Sequence, residues 1–235
     1  MAAERQVPEL RYQWEKEEIV RITKAMYHSG MTNLFEGNVS MRAGETMLLT
    51  PSQQDKEKLR PEQIIELDLQ GNVLYAPDGL RPSVEYRMHA EVYRVRPDVR
   101  AIVHNHSTFA TAYAVAGKPI ASDGHVELNL LFGQIPVAPY GMLGTEAIYR
   151  GLEPLLWDHH VVLLENHGLL AVGPDLVTAW SRAEAAEKMA KTLLLADFLG
   201  GAKPLPAEEL EQIRRDGLEK RHAEMRNPEN TLKEH

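Results

Sequence analysis

"SVEYRMHAEVYRVRPDVRAIVHNH", residues 83–106, carries a helix and a strand in quick succession and ends in two histidines one residue apart. Val84, Met88, Val92 and Val95 recur at helical spacing and Pro97 closes the run, which predicts a helix from near Ser83 to Arg96. "AIVHNH" that follows reads as a strand. Residues two apart on a strand project from the same face, so His104 and His106 point together while Asn105 points away.

The segments on either side extend this pattern. Towards the N-terminus, Ile19, Ile22 and Met26 mark a helix from Tyr12 to Ser29 with Gly30 as its stop. Short apolar runs then follow at 38–42, 46–50, 64–69 and 73–76, and they read as a meander with "QGN" at 70–72 as a hairpin turn. Towards the C-terminus the chain predicts a short helix ending at Gly117 and a strand over 135–140. A helix over 144–156 follows, with Thr145 as its N-cap. Two strand pieces then flank Asn166-His167-Gly168, and a long helix runs from Asp175 to Leu199, ended by Gly200-Gly201. Helices mixed with hairpin-connected strands imply an α/β fold: a single-domain three-layer arrangement, its central, largely antiparallel sheet covered by helices on both faces. Residues 1–201 form that domain, and 202–235 read as a charged extension with a peripheral helix or two and a frayed end.

The bulk properties exclude several classes of function. With 43% hydrophobic and 26% charged residues, the chain is that of an ordinary soluble domain, and no apolar run approaches the roughly 18 residues of a membrane span. The polar N-terminus lacks the apolar core of a secretory signal, so a cytoplasmic location is expected. A net charge of -8 opposes nucleic acid as a partner and leaves a small molecule as the expected one. Without cysteine, any metal must sit on His, Asp or Glu.

Several residues could carry chemistry. A lone His-x-His serves as a strand end as readily as a ligand pair, and a metal site needs a third donor. His167 is the candidate, because "LLENHGLL" interrupts an apolar stretch with polar and small residues, Gly168 permitting a tight turn. Glu85 lies in the first turn of its helix, where the helix dipole favours a carboxylate with no function and where a general base would also fit. His89, beside Met88 and Val92, reads as a hydrogen-bonding residue at the core edge, and His159-His160 as solvent-exposed. "GNVS" at 37–40 suits either anion binding or a plain turn, and His125, near Glu127 in a loop, suits either a proton donor or a solvated residue.

The order of "GNVS", "LLTPS", "RPSVEYRMHAEVYRVRPDVRAIVHNHS", "IPVAPYGMLGTEA" and "VVLLENHGLLAVG" resembles the class II aldolase and adducin superfamily from about Glu18 to Leu199. The resemblance implies that His104, His106 and His167 ligate zinc, with manganese, cobalt and iron as ions accepting the same donors. It implies that Glu85 either ligates the resting metal or acts as acid and base. An ungapped reading puts His125 where the aldolases use a tyrosine as second acid or base. Asn38, Ser52 and Ser83 match substrate phosphate-binding positions, whereas Phe35, Gln53 and Val84 replace hydroxyl or small residues there and weaken that site. The implied activity is a metal-dependent aldolase acting on a ketose, phosphoketose or 2-oxo compound, in a homotetramer. Decarboxylation, epimerisation and dehydration are the alternatives within the superfamily, and the intact histidine set argues against a metal-free adducin-like binding module.

Overall fold

The computed structural model of the chain describes residues 11–142 and 144–226. Fifteen named elements follow one another. The N-terminal half holds α1 (Gln13–His28), β1 (Asn38–Ala43), β2 (Thr46–Leu49), β3 (Ile65–Asp68), β4 (Val73–Tyr75), α2 (Tyr86–Val95) and β5 (Ala101–Asn105). The C-terminal half holds α3 (Thr108–Val115), α4 (Val126–Leu131), β6 (Val137–Ala138), α5 (Leu152–Leu156), β7 (Val161–Leu164), β8 (Gly168–Gly173), α6 (Leu176–Phe198) and α7 (Ala207–Arg226).

The strands form one sheet in the order β4-β3-β2-β1-β5-β8-β7-β6, antiparallel throughout except for β6 beside β7. Strand alternation divides the core in two. Ala101 and Val103 of β5 face Ile19, Met26 and Ala183 of helices α1 and α6, while Ile102 faces Met88, Val92 and Leu152 of α2 and α5. Burying both sheet faces is the dominant stabilising contribution, at roughly 1.5–3 kcal/mol for each large apolar side chain. The expected three-layer α/β fold is the one observed.

The local differences have physical reasons. Helix α2 starts at Tyr86, with Glu85 in the cap position at φ -94° rather than in the first turn. The helix expected over 144–156 is split into a 3-10 turn at Glu146–Tyr149 and α5, because Gly151 takes a left-handed φ of 86°. The strand expected over 135–140 shrinks to Val137–Ala138, since Pro136 and Pro139 on either side have no N–H for a ladder. The loop expected around His125 is instead the start of α4, whose six residues were too short and too apolar to show a period. His160, expected to be exposed, is buried at 4% exposure beside Glu224. Beyond Gly201 the charged segment forms helix α7, which buries Leu210, Gly217 and Arg221. No described helix is long and apolar enough to cross a membrane.

Candidate metal centre

The centre lies where three elements meet at one end of β5. β1 and β8 flank β5, setting Asn38 and Leu170 opposite His104. His106 follows the end of β5 and, as the strand period requires, turns to the side of His104. His167 arrives on the β7–β8 turn. That turn is made by Asn166 in the left-handed conformation, φ 58°, and not by Gly168. Gly168 is needed for a different reason: a Cβ there would stand 2.5 Å from the Asn105 carbonyl oxygen and 2.7 Å from Cδ2 of His106. Gly37 has a similar task, since its Cβ would meet the His104 carbonyl oxygen at 2.8 Å.

One ligand-type nitrogen from each of His104, His106 and His167 lies within 4.8 Å of the others. The His106 and His104 Nε2 atoms are 3.1 Å apart. His104 Nδ1 sits 2.9 Å from the Leu169 carbonyl oxygen, to which it donates, and this fixes the tautomer with the Nε2 lone pair facing inward. Glu85 closes the fourth side, with Oε2 3.3 Å from His104 Nε2 and Oε1 3.2 Å from His167 Nε2. Oε1 is buried and receives no hydrogen bond in spite of that approach. Converging imidazole nitrogens beside a buried, unsatisfied carboxylate oxygen fit a divalent cation, which would take all of these lone pairs at once.

The carboxylate is held from behind. Asn38 Nδ2 donates to Glu85 Oε2 at 2.7 Å and to Ser83 Oγ at 3.0 Å, so the Asn38 carbonyl end must face His89. His89 Nε2 therefore donates to Asn38 Oδ1, its Nδ1 accepts from the Ser40 hydroxyl at 2.7 Å, and Ser40 Oγ accepts from the Tyr93 hydroxyl at 2.7 Å. Burial, reinforced by the charge of His104, pushes His89 down to about 3, in keeping with the neutral ring this chain of bonds requires. Burial acts to raise the Glu85 pKa, but the charges and hydrogen bonds of His104, His167 and Asn38 outweigh it and hold the carboxyl well below its ordinary range. Burial and the His104 charge push His167 down to about 3 and lower His106 as well.

The structure therefore brings Glu85, His104, His106, His167, Asn38 and Ser83 together. Ser52 lies on a neighbouring stretch, its N donating to the Arg81 carbonyl oxygen at 2.8 Å beside the antiparallel Pro51–Pro82 bridge, a register that puts Thr50 and not Ser52 across from Ser83. His125 is elsewhere. It caps α4, its Nδ1 accepting from Leu128 N, with Glu127 3.4 Å away, and no hydrogen bond or ion pair joins it to the triad. Sequence reasoning missed Glu36, 3.4 Å from His106 Nδ1, and the Ser40–Tyr93 support. The alternation of β1, which places Asn38 and Ser40 on one face, was the available signal for the latter.

The family described as Class II Aldolase and Adducin N-terminal domain matches residues 17–194. A 5-deoxy-D-ribulose 1-phosphate aldolase of Bacillus thuringiensis serovar kurstaki is 33% identical over 204 residues, spanning 86% of this chain and 94% of its own. A 5-methylthioribulose-1-phosphate/5-deoxyribulose-1-phosphate aldolase of Rhodospirillum rubrum is 32% identical over 184 residues, or 78% of this chain and 82% of its own. The solved structure of an L-fuculose 1-phosphate aldolase superposes with a TM-score of 0.80 at 29% identity, covering 89% of this chain and 98% of that one.

Proposed function

The chain belongs to the class II aldolase and adducin family, and from that premise we propose that it cleaves and forms a carbon–carbon bond in a ketose 1-phosphate, using a divalent metal. His104, His106 and His167 are its ligands in this reading and Glu85 its acid and base. The observation that carries it is the meeting of three imidazoles with a buried Glu85 oxygen that has no hydrogen bond of its own. Zinc suits the donor set best, and manganese, cobalt and iron accept it too. The named relatives act on 1-phosphates of deoxy or methylthio pentuloses, which supports a substrate of that class.

Bound by neutral imidazoles, such an ion supplies Lewis acidity towards the ketose carbonyl and neighbouring hydroxyl oxygens. The chain's own residues do the rest. The His104–Leu169 bond keeps one lone pair aimed at the ion. In the condensation direction the Glu85 carboxylate, oriented by Asn38, removes the proton from the carbon beside the carbonyl, and in cleavage it returns it. Asn38 at the start of β1, and Ser52 and Ser83 on loops, are assigned to the substrate, with the Asn38 amide also steadying Glu85. His125 is assigned to the proton of the aldehyde oxygen. Among the described residues no hydrogen bond or ion pair joins it to the triad, and in this reading a second copy delivers it, in keeping with a cytoplasmic homotetramer built from the domain 1–201.

Metal analysis of the wild type and of His106→Ala tests the reading, with about one divalent ion per chain expected in the first and loss of it in the second. A panel of ketose 1-phosphates, free ketoses and oxo-acids tests the reaction. An aldehyde together with a three-carbon ketose phosphate is expected; carbon dioxide from an acid without aldehyde would overturn it.

A further inference from the structure

Helix α7 and the chain leading to it grip the loop that presents His125. Leu205 N donates to the Asp123 carbonyl oxygen at 2.9 Å, and the Lys203 backbone lies so close to Gly124 that no Cβ fits there. From α7, Arg214 reaches the same loop, with Nη2 2.7 Å from Asp123 Oδ1 and Nε donating to Asn129 Oδ1 at 2.8 Å. Further along α7, Gly217 sits directly against the Leu130 carbonyl oxygen, again without room for a Cβ.

Asn129 is the pivot. It is fully buried, and its amide nitrogen gives both protons to backbone carbonyls, of Ser122 at 2.7 Å and of His125 at 2.8 Å. That leaves Oδ1 in need of a donor, and the Arg214 guanidinium is the donor that meets it. The Arg214–Asp123 pair is exposed and contributes little by itself, so the bond to the buried amide is the one that matters. Held by its carbonyl, His125 keeps its ring in a defined state. Nδ1 accepts from Leu128 N at 3.2 Å, so the neutral imidazole carries its proton on Nε2 and presents a donor at that end. Glu127 Oε2, 3.4 Å from Nδ1, belongs to an exposed side chain and takes no part in that bond.

We propose that Arg214 is a positioning residue for carbon–carbon cleavage: through Asn129 it holds the backbone of His125, and so sets where the Nε2–H donor meets the aldehyde oxygen on which charge develops. The assignment rests on the reading above, in which His125 serves that oxygen in a neighbouring copy. It makes α7 part of the catalytic unit, although its sequence reads as a charged extension. Without Arg214, Asn129 Oδ1 is left buried and unpaired, and the amide must turn or admit water, which releases the His125 carbonyl. The metal centre is held by other bonds, from His104 to the Leu169 carbonyl and from Asn38 to Glu85, so the two parts of the chemistry respond separately.

The test compares two reactions of the metal-replete full chain. Cleavage of a ketose 1-phosphate uses His125 in this reading, whereas exchange with heavy water of the proton beside the carbonyl of the three-carbon ketose phosphate uses only Glu85 and the ion. In Arg214→Met, kcat for cleavage is expected to fall between about tenfold and a hundredfold with KM little changed, while isotope exchange and metal content stay at the wild-type level. Arg214→Lys, which keeps a charged donor, should recover part of the loss, and Arg215→Met, which removes an exposed partner of Glu211 on the same helix, should lose nothing. In a His125→Phe background, Arg214→Met should cost no further activity. Amide hydrogen exchange over residues 122–131 is expected to quicken in Arg214→Met. Wild-type cleavage by Arg214→Met overturns the assignment, as does an equal fall in cleavage and isotope exchange, or a further loss in the His125→Phe background. The two readings fail separately. If the wild type exchanges the proton but cleaves no ketose 1-phosphate, the proposed reaction falls and amide exchange decides Arg214, quickening over 122–131 supporting its hold on His125 and an unchanged pattern overturning it; if the wild type cleaves and Arg214→Met cleaves equally well, only Arg214 falls.

Discussion

At the scale of single residues, the centre depends on a line of hydrogen bonds in which each member fixes the next. The Glu85 carboxylate fixes the Asn38 amide, Asn38 fixes the His89 tautomer, and His89 fixes Ser40 and Tyr93. Glu85→Gln keeps the size of the side chain but removes the base. It is expected to bind metal through the three histidines while kcat falls by about 10²–10⁴-fold, and retention of wild-type turnover would remove Glu85 from the mechanism. His89→Leu leaves Asn38 Oδ1 buried without a donor, and a stability loss of roughly 1–3 kcal/mol is expected in urea unfolding, with a lower kcat as Glu85 loses its orientation. The ligand positions were legible in the sequence because strand period pairs His104 with His106 and because His167 breaks an apolar run. The support behind them was not. Ser40 meets His89 across 49 positions and Tyr93 across 53, and no local pattern reports a contact of that span. For the same reason Asn38 was legible as a polar residue at a turn, but not as the residue holding the carboxylate.

At the scale of elements, strongly periodic segments were legible and short ones were not. Helices α1 and α6 and the meander β1–β4 follow their sequence patterns, since each buries one face against a large core. Helix α4 and the 144–156 break depend instead on contacts made by neighbours, including Gly151 against Pro139. Two glycines test how elements hold the site. Gly168→Ala must push β8 away from the Asn105 carbonyl and the His106 ring. A loss of about 1–3 kcal/mol together with weaker metal retention is expected, and normal metal content would show that the β7–β8 turn can relax. Gly217→Ala instead sets a Cβ against the Leu130 backbone, where α7 crosses α4. Here limited proteolysis of α7 should quicken while metal content stays at the wild-type level, and loss of metal would mean that α7 braces the centre itself.

At the scale of the whole molecule, buried histidines tie folding to pH, and metal binding should shift that dependence. Burial, with smaller opposing contributions from Glu224, pushes His160 down from 6.5 to about 4, and burial pushes His89 and His167 down to about 3. In the unfolded chain each of these rings takes up a proton near 6.5, whereas in the fold it stays neutral. The unfolded state therefore binds more protons between these values, so stability is fully present above about pH 6.5 and is lost as pH falls towards 4. For His160 alone the shift is worth on the order of 3 kcal/mol at the acid end. His104 runs the other way: burial lowers its pKa, but Glu85 at 3.3 Å outweighs this and raises it, so its proton stabilises the metal-free fold at lower pH and a bound ion must displace it. Metal and protons thus compete for the same nitrogens. Urea midpoints across this range should fall with acid, and less steeply in His160→Asn than in the wild type. The midpoint gained on adding a divalent ion should be large near neutrality and vanish towards pH 4. A gain independent of pH would place the ion on carboxylates away from the three histidines.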